Sequence, residues 1–176
     1  KSKEKEKAQL EDLYSLVGRD EFRNYVLSII EKRLITQTNK EIKQLCDDRY
    51  KIIHLSKVNK MAPDFFVIDR YKAGLTRKIS TLSGGETFMV SLAMAMALSE
   101  LSRGNNEIDS FFIDEGFGTL DEDSLEDVLE MINNIQSRGK SIGLITHVQK
   151  LAERVSINIQ LKKSKLGNST ISIRYQ

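Results

Sequence analysis

Apolar and polar positions along this chain change period several times, and each change marks an element. The opening stretch, KSKEKEKAQLEDLYSLVG, is charged with a thin apolar stripe of Leu10, Leu13 and Leu16/Val17, and Gly18 supplies a stop. It predicts a surface helix or the end of a coiled coil. Asp20 then stands as the N-cap of a long helix in which Phe22, Val26, Ile29, Ile30 and Leu34 recur at helical spacing, followed by Ile42 and Leu45. From Tyr50 the period shortens. YKIIHLSK and DFFVID read as two strands of a hairpin with a long connection that holds Pro63, the only proline. Residues 69–82 read as a polar loop, and SGGETFMVSLAMAMALSELS as a helix that is apolar nearly all round and therefore buried. A buried strand is predicted at 110–114, an amphipathic helix at 122–137, a second buried strand in SIGLITH and a short helix at 148–154. SINIQLKKS and STISIRY alternate as a terminal hairpin. Strand–helix–strand order with apolar strands predicts an α/β fold with a mainly parallel sheet flanked by helices.

Composition narrows the possibilities. The chain has 176 residues, 40% of them hydrophobic, enough for a real core. A net charge of +2 gives no global basic field, so any nucleic-acid surface has to be local. The single cysteine, Cys46, excludes an internal disulfide and a cysteine-based zinc site, and a free thiol fits a reducing compartment. The longest apolar run, Met89–Leu98, is too short to span a bilayer. The first residue is Lys1 rather than Met, which suggests a fragment or a processed product.

Three short motifs carry candidate chemistry. SFFIDEGFGTLD runs a strand into Asp114 and Glu115, then through a glycine-rich turn to Asp121. Acids at the carboxyl edge of a parallel sheet sit where α/β folds bind ligands; one can hold Mg²⁺ through water while its neighbour orients and deprotonates an attacking water. The structural alternative is a turn that caps the following helix. In LSGGE, Ser83 and Glu86 have the spacing of a capping box, which by itself needs neither Gly84 nor Gly85. Two glycines permit close backbone approach, and a helix N-terminus with a serine hydroxyl is an anion site, so phosphate binding stands beside capping. In LITH, His147 follows a predicted strand, at the same sheet edge as Asp114 if the two strands are parallel neighbours, where it could reach a terminal phosphate or the attacking water. His54 lies in a predicted strand and reads as structural. RGKS at 138–141 imitates part of a phosphate loop, but Asn134 occupies the place of the first glycine and the motif leads into a strand. The chain therefore holds half a nucleotide site.

Taken together, TLSGGE, FFIDEGFGTLD and THV resemble the signature motif, Walker B, D-loop and switch histidine of ABC-type ATPases. Across residues 80–163 the sequence is similar to the SbcC family, DNA-repair ATPases related to SMC proteins, and the helical region 11–50 resembles its less distinctive upstream part. The resemblance implies a returning coiled coil at 1–18 and the C-terminal half of an ATPase head at 19–176, with Walker A on an N-terminal half-head elsewhere. It implies ATP and Mg²⁺ as cofactors. Asp114 would hold the metal through water, Glu115 would act as base or water-positioner and His147 would sense the terminal phosphate. Asp121 would lie at the head–head interface, and Ser83, Gly84, Gly85 and Glu86 would belong to the signature that meets nucleotide on a second head. Gly116 after the acid pair and Glu86 after SGG, where transporter ATPases typically carry proline and glutamine, favour the SMC-like branch.

The implied partners are that second head, the N-terminal half-head, duplex DNA, and an SbcD-type metal-dependent nuclease docked near residues 1–30, in a bacterial, cytoplasmic, nucleoid-associated setting without membrane. Candidate phosphate-backbone contacts are Arg70, Lys72, Arg77 and Lys78, and Lys162, Lys163 and Lys165, which otherwise read as solvated charge. Two further readings remain: a head-like module that binds DNA or a partner helix without turnover, and half of a transporter-type ATPase.

Overall fold

The computed structural model describes residues 5, 7, 10, 11, 18–55, 64–102, 108–163 and 167–175. Leu13, Leu16, Val17, Pro63 and Lys165 lie outside the described residues, as does most of the 1–18 stripe; Lys5, Lys7, Leu10 and Glu11 are helical. The chain divides into two compact units, Lys1–Ile108 and Asp109–Gln176. No described helix is long and apolar enough to cross a membrane.

The first unit is built on α1, Arg19–Leu45. Its N-cap is Gly18, which makes no side-chain cap bond, so Asp20 lies inside the first turn rather than capping it. Only the C-terminal part of the apolar stripe is used. Ile42 and Leu45 are buried, whereas Phe22, Tyr25, Leu27 and Ile30 face solvent. Three strands follow, β1 (Tyr50–Leu55), β2 (Asp64–Asp69) and β3 (Leu75–Lys78), in an antiparallel sheet of order β1-β2-β3. Tyr50 pairs with Asp69, and Asp69 with Leu75. The expected polar loop at 69–82 therefore contains a strand. β3 escapes a hydrophobicity pattern because Thr76, Arg77 and Lys78 follow its single apolar residue, and pairing to β2 holds it. Asn39 ties helix to sheet, its amide donating to the Ile52 carbonyl at 2.8 Å and its oxygen accepting the Ile52 N–H at 2.7 Å.

α2, Gly84–Ser102, packs on α1. It buries Met89, Val90, Leu92, Ala93, Met96 and Ala97, one face at helical spacing, and leaves Leu98 and Leu101 exposed. Its all-round apolarity is thus only half used.

The second unit begins with a parallel β–α–β: β4 (Ser110–Asp114), α3 (Glu122–Ser137) and β5 (Ser141–Ile145). Leu125, Val128, Met131, Ile132 and Ile135 form the buried stripe of α3, which packs on β5. The sheet has two strands, so β4 and β5 are half-covered instead of buried: Phe112 is 79% exposed and Ile145 55%. Phe112 lies opposite Gly143, and a Cβ there would come within 2.6 Å of the phenyl ring. The ring occupies the space that a side chain would fill. After the short helix α4 (Gln149–Ala152), β6 (Ile157–Lys163) and β7 (Ser169–Tyr175) form the expected antiparallel hairpin. Among the described residues of this α/β fold, parallel pairing is confined to β4–β5, and the other two sheets are antiparallel.

Candidate functional site

Glu115 and His147 meet at the carboxyl ends of the two parallel strands. Asp114 is the last residue of β4 and pairs with Ile145, the last of β5. The Glu115 N–H then donates to the Ile145 carbonyl at 2.9 Å, carrying the ladder one step past the strand. At this point the backbone turns left-handed, with φ +60° at Glu115 and +97° at Gly116. Such a conformation costs a non-glycine residue roughly 1–3 kcal/mol and persists only where the surroundings enforce it. Phe117, two residues on, is buried at 2% exposure. The turn brings the Glu115 carboxylate to His147 Nδ1, 3.1 Å from Oε1 and 2.9 Å from Oε2. A neutral imidazole that donates from Nδ1 keeps a lone pair on Nε2, which lies beside Gly118. Both side chains are solvent-exposed.

Asp121 has a local task. Its carboxylate accepts the Ser124 N–H at 2.8 Å as the N-cap of α3. Hydrogen bonds from the Ser124 side chain and, second, from its backbone hold the Asp121 pKa below the usual carboxylate value. Among the described residues no three His, Cys, Asp or Glu side chains cluster as a metal cage. Mg²⁺ needs none, since it is commonly held by one or two carboxylates with water and phosphate oxygens completing the shell. Asp114, exposed at a strand end, fits that donor set.

The LSGGE segment lies in the first unit. Its capping box is complete: Ser83 N–H donates to Glu86 Oε2 at 2.9 Å, and Glu86 N–H donates to Ser83 Oγ at 3.3 Å. The first ladder bond runs from Thr87 N–H to the Ser83 carbonyl at 2.9 Å, so the amides of Gly84 and Gly85 stand in the first turn, ahead of the helix's own acceptors. Capping and anion binding are compatible here. The Glu86 side chain uses the serine N–H, and the glycine amides remain directed along the helix axis.

Glu86 itself points inward, 7% exposed. Its Oε1 accepts from Arg77 Nη2 at 2.6 Å and from the Tyr50 hydroxyl at 3.4 Å. Burial opposes its ionisation, but the hydrogen bonds from Arg77 and Ser83 and the charges of Arg77 and Lys72 prevail and hold its pKa at about 2. Burial pushes the Tyr50 hydroxyl up. The bond to Glu86 raises Arg77 further.

Several candidate cations are already engaged. Arg77 also reaches Asp69 Oδ2 at 3.3 Å, Lys72 Nζ lies 3.6 Å from Glu86, and Arg70 pairs with Asp48. Lys78 lies at the exposed end of β3, and Lys162 and Lys163 are exposed on β6. Sequence pattern does not reveal Tyr50 and Asp69 as supports of the signature segment, and it presents Arg77 as a loop cation. The available signal is Asp69, an acid at a strand end within a short basic stretch.

Residues 63–134 match the sequence profile of the family described as SbcC/RAD50-like, Walker B motif. The SbcC component of the nuclease SbcCD from Deinococcus radiodurans is 37% identical over 154 residues, which are 88% of this chain. This chain belongs to the SbcC/RAD50-like family. It spans 16% of the length of that relative. Solved SMC head structures share the fold. A solved SMC ATPase superposes with a TM-score of 0.64 at 14% identity, over 85% of this chain and 88% of that one. The SMC head domain of Thermotoga maritima gives 0.56 at 21% identity, over 80% and 47%. Of the sequence-predicted site residues, Asp114, Glu115, Asp121 and His147 belong to the second unit, and Ser83, Gly84, Gly85 and Glu86 to the first.

Proposed function

We propose that this chain is the C-terminal part of a composite ATPase head, which binds and hydrolyses ATP between two dimerised heads and controls the access of a partner nuclease to DNA ends. The pairing of Glu115 with His147 at the end of β4–β5, one residue from Asp114, carries the reading. Glu115 holds and deprotonates the attacking water. His147 fixes that carboxylate by donating from Nδ1, and in its doubly protonated form it also donates from Nε2 to the terminal phosphate. Asp114 would hold Mg²⁺, which would supply charge neutralisation at the phosphates. Ser83 and the amides of Gly84 and Gly85 receive the phosphate of nucleotide held by the opposing head.

An N-terminal half-head is the required companion, and the open surfaces support it. A two-stranded parallel sheet is far below the usual size of such sheets, whose faces are normally both covered. On the terminal hairpin, Ile157, Ile159 and Leu161 stand opposite Tyr175, Ile173 and Ile171, all more than half exposed. An apolar face of that kind calls for a partner segment. Duplex DNA would meet exposed lysines such as Lys78, Lys162 and Lys163. An SbcD-type nuclease would dock around residues 1–30, where Tyr25, Leu27 and Ile30 are exposed on α1.

The test is MgATP hydrolysis by this chain alone and titrated with the N-terminal half-head. Activity should be absent alone and rise to a stoichiometric plateau. In the assembled head Glu115→Gln should lower turnover by at least about 100-fold, the typical share of a general base, while ATP-driven dimers persist. Normal turnover in that variant would remove Glu115 from the mechanism.

A further inference from the structure

Beyond the residues that face the nucleotide, a buried ionic cluster stands directly behind Ser83. It joins three elements of the first unit. Asp69 ends β2 and is fully buried; Glu86 lies in the first turn of α2; Arg77 on β3 connects them, with Nη2 2.6 Å from Glu86 Oε1 and 3.3 Å from Asp69 Oδ2. Asp69 is itself immobilised, its other oxygen accepting the Tyr71 N–H at 3.1 Å. Arg49 contributes charge from 3.8 Å at Asp69 and 3.9 Å at Glu86, and its guanidinium stacks 4.8 Å from the centre of the Tyr50 ring. Lys72 lies 3.6 Å from Glu86. Three cations thus face two carboxylates.

The consequence reaches Ser83 in two bonds. Glu86 N–H occupies a lone pair of the Ser83 hydroxyl, which leaves the hydroxyl hydrogen to donate outward, and Glu86 Oε2 fixes the Ser83 N–H. The orientation of the serine therefore depends on Glu86, and that of Glu86 on Arg77. Charge adds to geometry. A carboxylate in the first turn of a helix repels an arriving phosphate unless a cation offsets it, and Arg77 is the cation in closest contact.

We infer that Arg77 is a positioning residue for the signature segment: by clamping Glu86 against Asp69 it aims the Ser83 hydroxyl outward and cancels the carboxylate charge behind the phosphate-receiving amides. Lysine substitutes only in part, because a point charge keeps the positive charge but cannot bridge two carboxylates as a planar fork does. The inference rests on the head reading proposed above.

The experiment is a charge cycle in the assembled head: wild type, Arg77→Gln, Arg77→Lys, Glu86→Gln, and the Arg77→Gln/Glu86→Gln pair. Nucleotide affinity of the undimerised head, ATP-driven dimerisation and turnover are read in parallel. Arg77→Gln should leave nucleotide affinity unchanged and reduce dimerisation and turnover on the order of 100-fold, the scale of a displacement of about 1 Å in a reacting constellation. Arg77→Lys should fall between it and wild type. The double variant should recover most of the loss, since glutamine at 86 keeps the acceptor for the Ser83 N–H without the charge. A cluster that merely supports the fold would lose nucleotide affinity along with dimerisation and show no recovery in the pair, and that result would overturn the inference. If Arg77→Gln fails to fold, Arg77→Lys decides: wild-type dimerisation in it sinks the clamp. Wild type without turnover in the assembled head would overturn the head reading and this inference with it, whereas active wild type with unaffected variants would overturn the inference alone.

Discussion

Glu86 provides a direct physical check on the buried cluster, with no nucleotide required. Its pKa is held at about 2 against an ordinary 4.5. A carboxyl whose folded pKa lies below its unfolded one contributes stability that is fully present above the unfolded value and is lost as pH falls through the folded one. The relevant window therefore runs from pH 4.5 down to about 2. A tenfold change in an acid's dissociation constant is worth about 1.4 kcal/mol, so ionised Glu86 contributes ~3 kcal/mol at neutral pH relative to its protonated form. Glutamine is a close mimic of that protonated form and still accepts the Ser83 N–H. Urea unfolding of wild type and Glu86→Gln between about pH 2.5 and 7 should show the variant weaker by ~3 kcal/mol near neutrality. The gap should narrow as pH drops below 4.5, to roughly 1 kcal/mol at about pH 2.5, and close only below the folded value of about 2. Comparing the two chains at each pH removes the acid sensitivity of every other carboxylate. A gap that stays constant across the range, or no gap at all, would refute the coupling of Glu86 to Arg77, Lys72 and the Ser83 N–H.

Two further outcomes are expected from the second unit. Met131, fully buried on α3, should cost about 2–5 kcal/mol when cut to alanine, read from denaturant midpoints at unchanged slope. The Asp121 cap is strongest while its carboxyl is ionised, and its pKa is depressed, so protection of the Ser124 amide against hydrogen exchange should decline only below the ordinary aspartate range. Asp121→Asn keeps an acceptor without the charge, and its protection should be independent of pH across that range.

The parts of the fold that hydrophobic period could reveal were those with long or regular patterns. α1, the β1–β2 pairing, α3 and the terminal hairpin all follow from spacing alone. β3 did not, because a four-residue strand with one apolar residue carries no period and is held by its neighbour. Apolar β4 and β5 read as buried strands since composition reports what a strand is suited to cover, while coverage depends on which other strands are at hand. The start of α1 shifted by two residues for a related reason: Asp20 has the chemistry of a cap, but Gly18 adopts the cap position without a side-chain bond. Among the site residues, the reciprocal bonds of Ser83 and Glu86 were legible from their spacing. The clamp of Arg77 on Glu86 was not, since it joins a strand to a helix nine residues on and leaves no periodic trace.

The left-handed backbone at Glu115 sets fold and chemistry at odds at one position. Glycine adopts that conformation without steric penalty. Glu115→Gly should therefore leave the melting temperature unchanged or raise it, while deleting the carboxylate that His147 holds. Selection for robustness alone would drift away from glutamate here, so a screen that rewards thermal stability without demanding turnover should enrich glycine at 115 as at the other left-handed residues, Asp47, Asp48 and Ala73, and a second screen that demands turnover should reverse the enrichment at 115 alone.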